Sequence, residues 1–357
     1  MSKRIVMAEY QGRCDTEGTA VGHAPKVLSE YRDMLKSLSY DVSVAAPAVI
    51  LKAAGIKKED QYRKLKHHIL MKGKNSLAEK IFNKLKMFVN IRACLKTDAD
   101  IVWFFNTEFY FFLYMAFFGN KGKTIYANSF IGGFEGGLLA KIKQKIFERA
   151  QKKIRGMIST GPGFSFKNTE SIFIPDYSYE PGIYDRFRTE DKEEHAVVLG
   201  TMNPDKKLEE TVEAFNKNGY PLLIVGRFYD KDRYEKLKDL AGENIEIRDE
   251  YPERDEYLRM LGKARFVVLP YPEEKYSIQT SGVLQEALFL DTIPLTYRAI
   301  LEGNKIPGGG FKSFDEIGDI IKDIDDAEYK RQYEKLRLSD YDRAAFAEKL
   351  DAFFSRA

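Results

Sequence analysis

Leu269-Pro270-Tyr271 and the following Tyr276-Ser277-Ile278-Gln279-Thr280-Ser281-Gly282-Val283-Leu284-Gln285-Glu286-Ala287-Leu288 carry the residue types of an anion site. An apolar run passes through a polar loop into a helix whose first turn is Ser281, Gly282 and Val283. Such a start leaves backbone N–H groups and partial positive charge free, and glycine admits close approach, so a phosphate fits there. Glu286, about one turn on, can accept hydrogen bonds from hydroxyl groups without facing that phosphate directly. A second apolar run, Val197-Val198-Leu199-Gly200, turns through Thr201-Met202-Asn203-Pro204-Asp205-Lys206-Lys207 into another helix. A lysine at such a strand end can neutralise charge developing on a departing phosphate. An ordinary exposed Lys-Lys pair at a helix start is the plainer account of either lysine taken alone.

Two glycine-bearing segments in the first half offer proton chemistry. The first holds Gly18, Gly22, His23 and Pro25. Histidine titrates near neutrality and can take a proton from an alcohol, though a histidine at a helix start also binds backbone or phosphate. The second is Phe130-Ile131-Gly132-Gly133-Phe134-Glu135-Gly136-Gly137, whose four glycines mark a loop needing unusual dihedrals or a close approach. Glu135 is an alternative base or a hydroxyl contact, against the plainer reading of a solvated loop carboxylate. Asn106 and Glu108 end another strand and are weaker candidates.

These residues need strand ends to hold them, and the periodicity supplies strands alternating with helices in both halves, the pattern of parallel sheets covered by helices. Strands are expected at 5–8, 41–45, 101–105, 124–128 and 156–160, then at 196–199, 222–225, 245–247, 266–269 and 293–295. Helices are expected at 26–38, 109–118 and 138–155, then at 208–216, 234–240, 256–261 and 282–290, with a largely helical, charged stretch from 314 onward. Residues 52–96 read as a basic helical region, and 175–188, rich in Pro, Gly, Tyr and Asp, as a linker. The aromatic helix 109–118 is too short for the ~20 residues a bilayer requires and is expected to pack in the core.

A chain of 357 residues, 44% hydrophobic and 31% charged, exceeds what one core usually organises and argues for two domains and against wholesale disorder. Two cysteines and four histidines provide neither a disulfide framework nor a zinc ligand set. The net charge of +3 conceals a division. Residues 1–180 carry +12 and the remainder −9, and within 52–96 thirteen basic residues face three acidic ones. Apolar side chains interleave this basic stretch, as in Arg63 to Met71 and Ile81 to Val89, so an anionic membrane surface is an expected partner beside the plainer solvated helix face. Nucleic acid is not expected, because no motif for it accompanies the charge.

The second-half segments together resemble the donor domain of GT-B glycosyltransferases, in particular the retaining family-four group. Gly200, Lys206, Val225-Gly226, Glu286 and Thr292-Ile293-Pro294-Leu295 follow that group's order and approximate spacing over about residues 196–296. The resemblance implies an α/β fold of GT-B type, two doubly wound Rossmann-like domains facing across a cleft. It implies diphosphate contacts from Lys206 and from the amides of Ser281, Gly282 and Val283, and a ribose contact from Glu286. Arg248 to Tyr251 would border the base, with Gly200, Thr201 and Gly226 shaping the donor loops. Ile278 stands where the group has its first glutamate, and Thr201 where it often has arginine. Gln279-Thr280-Ser281-Gly282 resembles a variant loop of surface-polysaccharide glycosyltransferases, in which Gln279 and Thr280 would contact the donor. In the first half, Gly22-His23-Ala24-Pro25 resembles, one residue short, the Gly-His-x-x-Pro start of inverting GT-B enzymes. That makes His23 a catalytic base, with Glu135 as the alternative and Gly18, Gly22, Gly132 and Gly133 on acceptor-side loops.

The expected function is transfer of a sugar from a nucleotide-sugar donor, a UDP-sugar first, to a glycan or polyprenyl-linked acceptor in surface polysaccharide synthesis. Residues 1–180 would be the basic acceptor domain, 181–340 the donor domain, and 341–357 a helix returning to the first domain. No metal or other cofactor is expected, Lys206 and the helix start carrying the leaving charge. The start Met1 to Tyr10 lacks a leader-like apolar run, so the expected location is cytoplasmic, with peripheral contact at the inner membrane face. The alternatives are a nucleotide-sugar or polyanion binding module without catalysis and, behind it, a nicotinamide-dependent oxidoreductase, disfavoured because neither glycine loop reads Gly-x-Gly-x-x-Gly.

Overall fold

The computed structural model describes the chain except Met1, Ser2, Gly22, His23, 72–75, Phe130, Glu135, Pro162, Gly163, Ser165, 278–280 and Ala357. It comprises two units, Met1–Asp176 with Phe346–Ala357, and Tyr177–Ala345.

The strands of the first unit are β1 (Arg4–Ala8), β2 (Arg13–Cys14), β3 (Asp41–Pro47), β4 (Gln61–Leu65), β5 (Ile69–Leu70), β6 (Ile101–Thr107), β7 (Thr124–Ser129), β8 (Gly156–Ser159) and β9 (Glu170–Phe173). Seven form one sheet in the order β4-β3-β1-β6-β7-β8-β9, parallel throughout, while β2 and β5 pair separately. Runs such as Ile5–Ala8 and Ile101–Phe105 are buried continuously, as strands covered on both faces must be. The last helix, Arg343–Ser355, brings Phe354 against Trp103 and Tyr126, with ring centroids 5.3 and 4.6 Å apart.

The second unit contains β10 (Glu193–Leu199), β11 (Leu222–Val225), β12 (Ile245–Arg248), β13 (Ala264–Val268), β14 (Ile293–Tyr297) and β15 (Gly309–Phe311). These form a parallel sheet ordered β12-β11-β10-β13-β14-β15, the doubly wound Rossmann arrangement.

One expectation is corrected and another refined. Within the basic region taken as helical, Gln61–Leu65 is an edge strand on β3, and the helix begins only at Leu77, ending at Cys94. Edge position explains the misreading, since alternating polar residues face solvent there instead of forming an apolar run. The segment read as a linker, 175–188, does contain the boundary between the units at Asp176–Tyr177, but its side chains are packed. Tyr177, Tyr179 and Tyr184 are buried within the second unit, where the Tyr177 N–H donates to Gln285 Oε1 at 3.0 Å and Tyr184 packs on Phe289.

Candidate functional site

The second sheet reverses its chain order between β10 and β13, and ligands of such sheets bind beyond the carboxyl ends of the strands at that point. Gly200 follows β10 with φ +97°, a conformation L side chains avoid. Gly226 follows β11, and a Cβ built there would stand 1.7 Å from the Gly200 carbonyl oxygen. The two glycines are therefore steric partners, with Thr201 partly exposed after the first.

Beyond them the chain turns and buries Lys206, which is 6% exposed. Its Nζ donates to the Leu199 carbonyl at 3.3 Å, lies 3.9 Å from Met202 Sδ and sits 5.6 Å from the ring centroid of Tyr271. Among the described residues no carboxylate forms an ion pair with it. Burial, only partly opposed by Asp205, lowers its pKa to about 8. Arg233 fixes this turn, donating to the carbonyls of Asn203 at 3.0 Å and Lys206 at 2.6 Å while pairing with Glu209. Lys207 points elsewhere, its Nζ donating to the Tyr297 hydroxyl at 2.9 Å. The structure thus distinguishes two lysines that the sequence presents as equivalent.

The loop after β13 brings Tyr271 to the same place, stacked on Tyr276 at 4.1 Å, and the Lys207 N–H ties the two loops through the Pro270 carbonyl at 2.8 Å. Ser281 caps helix Gly282–Phe289, its Oγ accepting from the Leu284 N–H and donating to the Tyr271 hydroxyl at 3.2 Å. The Gly282 and Val283 N–H groups have no hydrogen-bond acceptor among the described residues, as expected at a helix start. The bare Cα of Gly282 also makes room for Tyr177, whose ring would lie 2.6 Å from a Cβ. A buried ammonium and helix amides that have no acceptor among the described residues, both adjoining the Tyr271–Ser281 hydrogen bond, can hold a phosphate or diphosphate.

Glu286, predicted as a ribose contact, is 2% exposed, paired with Arg254 and accepts from the Tyr184 hydroxyl at 3.4 Å. Tyr257 lies beside it, its hydroxyl pushed up first by burial and then by the Glu286 charge. The sequence reading missed Arg254 and Tyr184, whose only signal is their position near strand and helix ends. Arg248 pairs with Glu246 and Glu250, while Tyr251 is 69% exposed with Arg227 over its ring at 5.7 Å. Gln279 and Thr280 lie outside the described residues. A cavity of about 630 Å³ elsewhere in this unit, lined by Arg298, Glu302, Lys305, Asp323 and Tyr329 among others, holds none of the predicted residues.

In the first unit, Gly22, His23 and Glu135 lie outside the described residues. Gly18 takes φ +80° in an exposed turn whose Asp15 carboxylate accepts from the N–H groups of Glu17 and Thr19. Gly132 lies against Phe164 and Gly133 against Gln144. At the carboxyl ends of β1 and β6, where this sheet reverses order, the buried Glu9 carboxylate accepts from the N–H groups of Gln11 at 3.2 Å and Gly12 at 2.7 Å. Burial raises its pKa, and those hydrogen bonds oppose the rise. Asn106 takes φ +51° there, and Glu108 pairs with Arg13.

Solved structures resemble the chain over its whole length. A glycosyltransferase from Rickettsia africae ESF-5 aligns with TM-score 0.63 and 13% identity, covering 99% of this chain and 98% of its own. Anabaena HepE, in complex with UDP and glucose, aligns with TM-score 0.63 and 12% identity over 99% of this chain and 100% of its own. The fold is GT-B. Neither a family model nor a curated protein matches the sequence. A GT-B frame does not select a reaction, since UDP-GlcNAc 2-epimerase from Neisseria meningitidis, bound to UDP-GlcNAc, also aligns with TM-score 0.55 and 12% identity, over 99% of this chain and 100% of its own.

Asp-x-Asp triplets occur in the sequence at Asp98-Ala99-Asp100, Asp230-Lys231-Asp232, Asp323-Ile324-Asp325 and Asp340-Tyr341-Asp342. Among the described residues, however, no three His, Cys, Asp or Glu side chains gather as a metal site, and no helix is long and apolar enough to cross a membrane.

Proposed function

We propose that the protein is a glycosyltransferase that moves a sugar from a nucleotide-sugar donor, a UDP-sugar first, to a glycan or polyprenyl-linked acceptor in surface polysaccharide synthesis. The observation that carries this reading is Lys206, a buried ammonium with no described carboxylate partner at the point where the second sheet reverses order. An unpaired buried cation is costly, and an anionic ligand supplies the missing charge. In the reaction the bond from the sugar C1 to the diphosphate oxygen breaks and its electron pair stays on that oxygen. Lys206 and the Gly282 and Val283 amides hold the resulting charge without a resident metal or cofactor. The acceptor hydroxyl forms the new bond to C1. Its proton passes to His23 or Glu135 if configuration inverts, or to the departing phosphate if it is retained. The acceptor is assigned to the first unit and its glycine loops. Thr201, Arg248 and Tyr251 remain assigned to the donor, with Tyr251 as the exposed ring against which a base stacks.

A thermal-shift panel of UDP, GDP, ADP, CMP and their sugar conjugates, with NAD(P) as control, tests the reading. A ligand at 100 times its dissociation constant adds about 2.7 kcal/mol to native stability. One nucleoside diphosphate should stabilise the protein selectively and lose most of its effect in Lys206→Met. Stabilisation by NAD(P) alone would reject the proposal, whereas nucleotide-sugar binding without any product would favour the binding module.

A further inference from the structure

The first unit carries an apolar, basic rim within the stretches whose charge points to an anionic surface. Helices Leu77–Cys94, Phe109–Phe118 and Leu138–Gln151 each lead from the carboxyl end of the parallel sheet back to its other end, so all three run in the same direction. Their side chains set the register. Lys84 reaches the Tyr110 ring at 3.9 Å and Phe88 meets Tyr114 at 5.5 Å, while Lys143 reaches Phe109 at 5.5 Å and Arg149 reaches Phe117 at 5.4 Å. The first turn of the central helix therefore stands level with residues 84 and 143. The flanking helices continue beyond it at the strand carboxyl end, by ~10 Å to Leu77 and ~7 Å to Leu138 at 1.5 Å per residue.

Both overhanging tips are apolar and exposed among the described residues. Leu77, Ile81 and Phe82 on one, and Leu138, Leu139 and Ile142 on the other, are large side chains that core packing leaves exposed. Leu77 is 74% exposed and Leu138 78%. Exposed lysines sit among them, Lys80 on the first tip and Lys141 on the second, with Lys145 about one turn further along that helix. Glu79 is held in the capping box with Ser76, so it serves the helix start. Between the second tip and its preceding loop lies a cavity of about 550 Å³, lined among the described residues by Gly133, Phe134, Leu138, Leu139 and Lys143.

We infer that these two tips dock the protein on an anionic lipid bilayer. Apolar side chains projecting ~5–10 Å with cations interspersed match the depth and charge of the headgroup boundary. A nucleic acid would engage the lysines but leave six large apolar side chains in water, and so is the less suited polyanion. The inference does not depend on the sugar-transfer reading, because donor binding is measured without membranes.

The test is co-sedimentation of the full chain with vesicles of neutral phosphatidylcholine and with vesicles also containing phosphatidylglycerol. The wild type should sediment with the anionic vesicles far more than with the neutral ones. The pairs Ile81→Ser with Phe82→Ser, and Leu138→Ser with Leu139→Ser, should each weaken partitioning at least ~10-fold, since each removes two apolar side chains that the bilayer would bury. Lys141→Glu with Lys145→Glu should weaken it at least ~5-fold per charge. All six positions are exposed, and an unchanged near-ultraviolet circular dichroism spectrum checks that each variant folds. Absence of sedimentation, equal sedimentation with neutral vesicles, or wild-type partitioning by the serine variants would overturn the inference. A dimer in solution that the serine pairs dissociate, without vesicle binding, would overturn it in favour of a second copy as the occupant.

Discussion

Lys206→Met separates function from stability and does so with opposite signs. Burial lowers the amine from its ordinary value of 10.5 to about 8. That difference corresponds to about 3 kcal/mol of disfavour for the buried ammonium. Because the folded value lies below the unfolded one, the unfolded chain holds more protons between pH 8 and 10.5, and native stability rises with pH across that window. Below about pH 8 the full cost applies. Methionine fills a similar volume without charge, while losing the hydrogen bond to Leu199 and the contact with Tyr271. The ligand-free variant should therefore gain about 1–3 kcal/mol in urea unfolding at neutral pH, a gain that shrinks toward pH 10.5. Lys192, also lowered to about 8 by burial, keeps its own pH dependence in both proteins and so cancels from the difference. Affinity for the sugar nucleotide should fall about 10–100-fold by calorimetric titration, the loss of a charge-assisted hydrogen bond of about 1.5–3 kcal/mol. A variant that is less stable than wild type yet binds the nucleotide equally well would refute the reasoning and make Lys206 a packing residue.

Three further outcomes follow from the same geometry. Sugar-nucleotide affinity should weaken as pH rises through about 8, because the bound diphosphate favours the Lys206 ammonium; calorimetry in buffers of different ionisation enthalpy should show proton uptake above that pH. Gly226→Ala should abolish cooperative folding because its Cβ would meet the Gly200 carbonyl at 1.7 Å, whereas Gly200→Ala, with open space around its Cβ, should cost only the ~1–2 kcal/mol of a positive φ, both read by denaturant unfolding. Arg254→Met should destabilise the protein by about 2 kcal/mol by leaving the buried Glu286 carboxylate without its cation, less than for a fully buried pair because Arg254 is 43% exposed, and Glu286→Gln in the same background should recover part of that loss.

The alternation of strands and helices was legible because strands covered on both faces are apolar runs, as Ile5–Ala8, Ala196–Leu199 and Phe266–Val268 are. Three edge strands escaped for the complementary reason, while the edge strand Ile245–Arg248 was legible. Gln61–Leu65, Glu170–Phe173 and Gly309–Phe311 are short or polar, and their pairing is set by neighbours distant in sequence. The spacing of Gly200, Lys206 and Gly226 marked the strand ends, but only the structure gives the steric reason for the glycine pair and turns Lys206 inward while Lys207 goes to Tyr297. The environment of Glu286 was illegible, because Arg254 and Tyr184 reach it from 32 and 102 residues away. Tyr177 likewise claims the space above Gly282 from the segment that links the two units, whose Pro, Gly and Asp content gives no sign of that packing.

The most direct test of the central proposal is mass-spectrometric product analysis after incubating the protein with the sugar nucleotide selected by the binding panel, with and without a glycan or polyprenyl-phosphate acceptor. The expected result is acceptor-dependent release of one nucleoside diphosphate, a product heavier by one sugar, and loss of both in Lys206→Met. Conversion of the sugar nucleotide to an epimer without acceptor, or release unaffected by Lys206→Met, would contradict it.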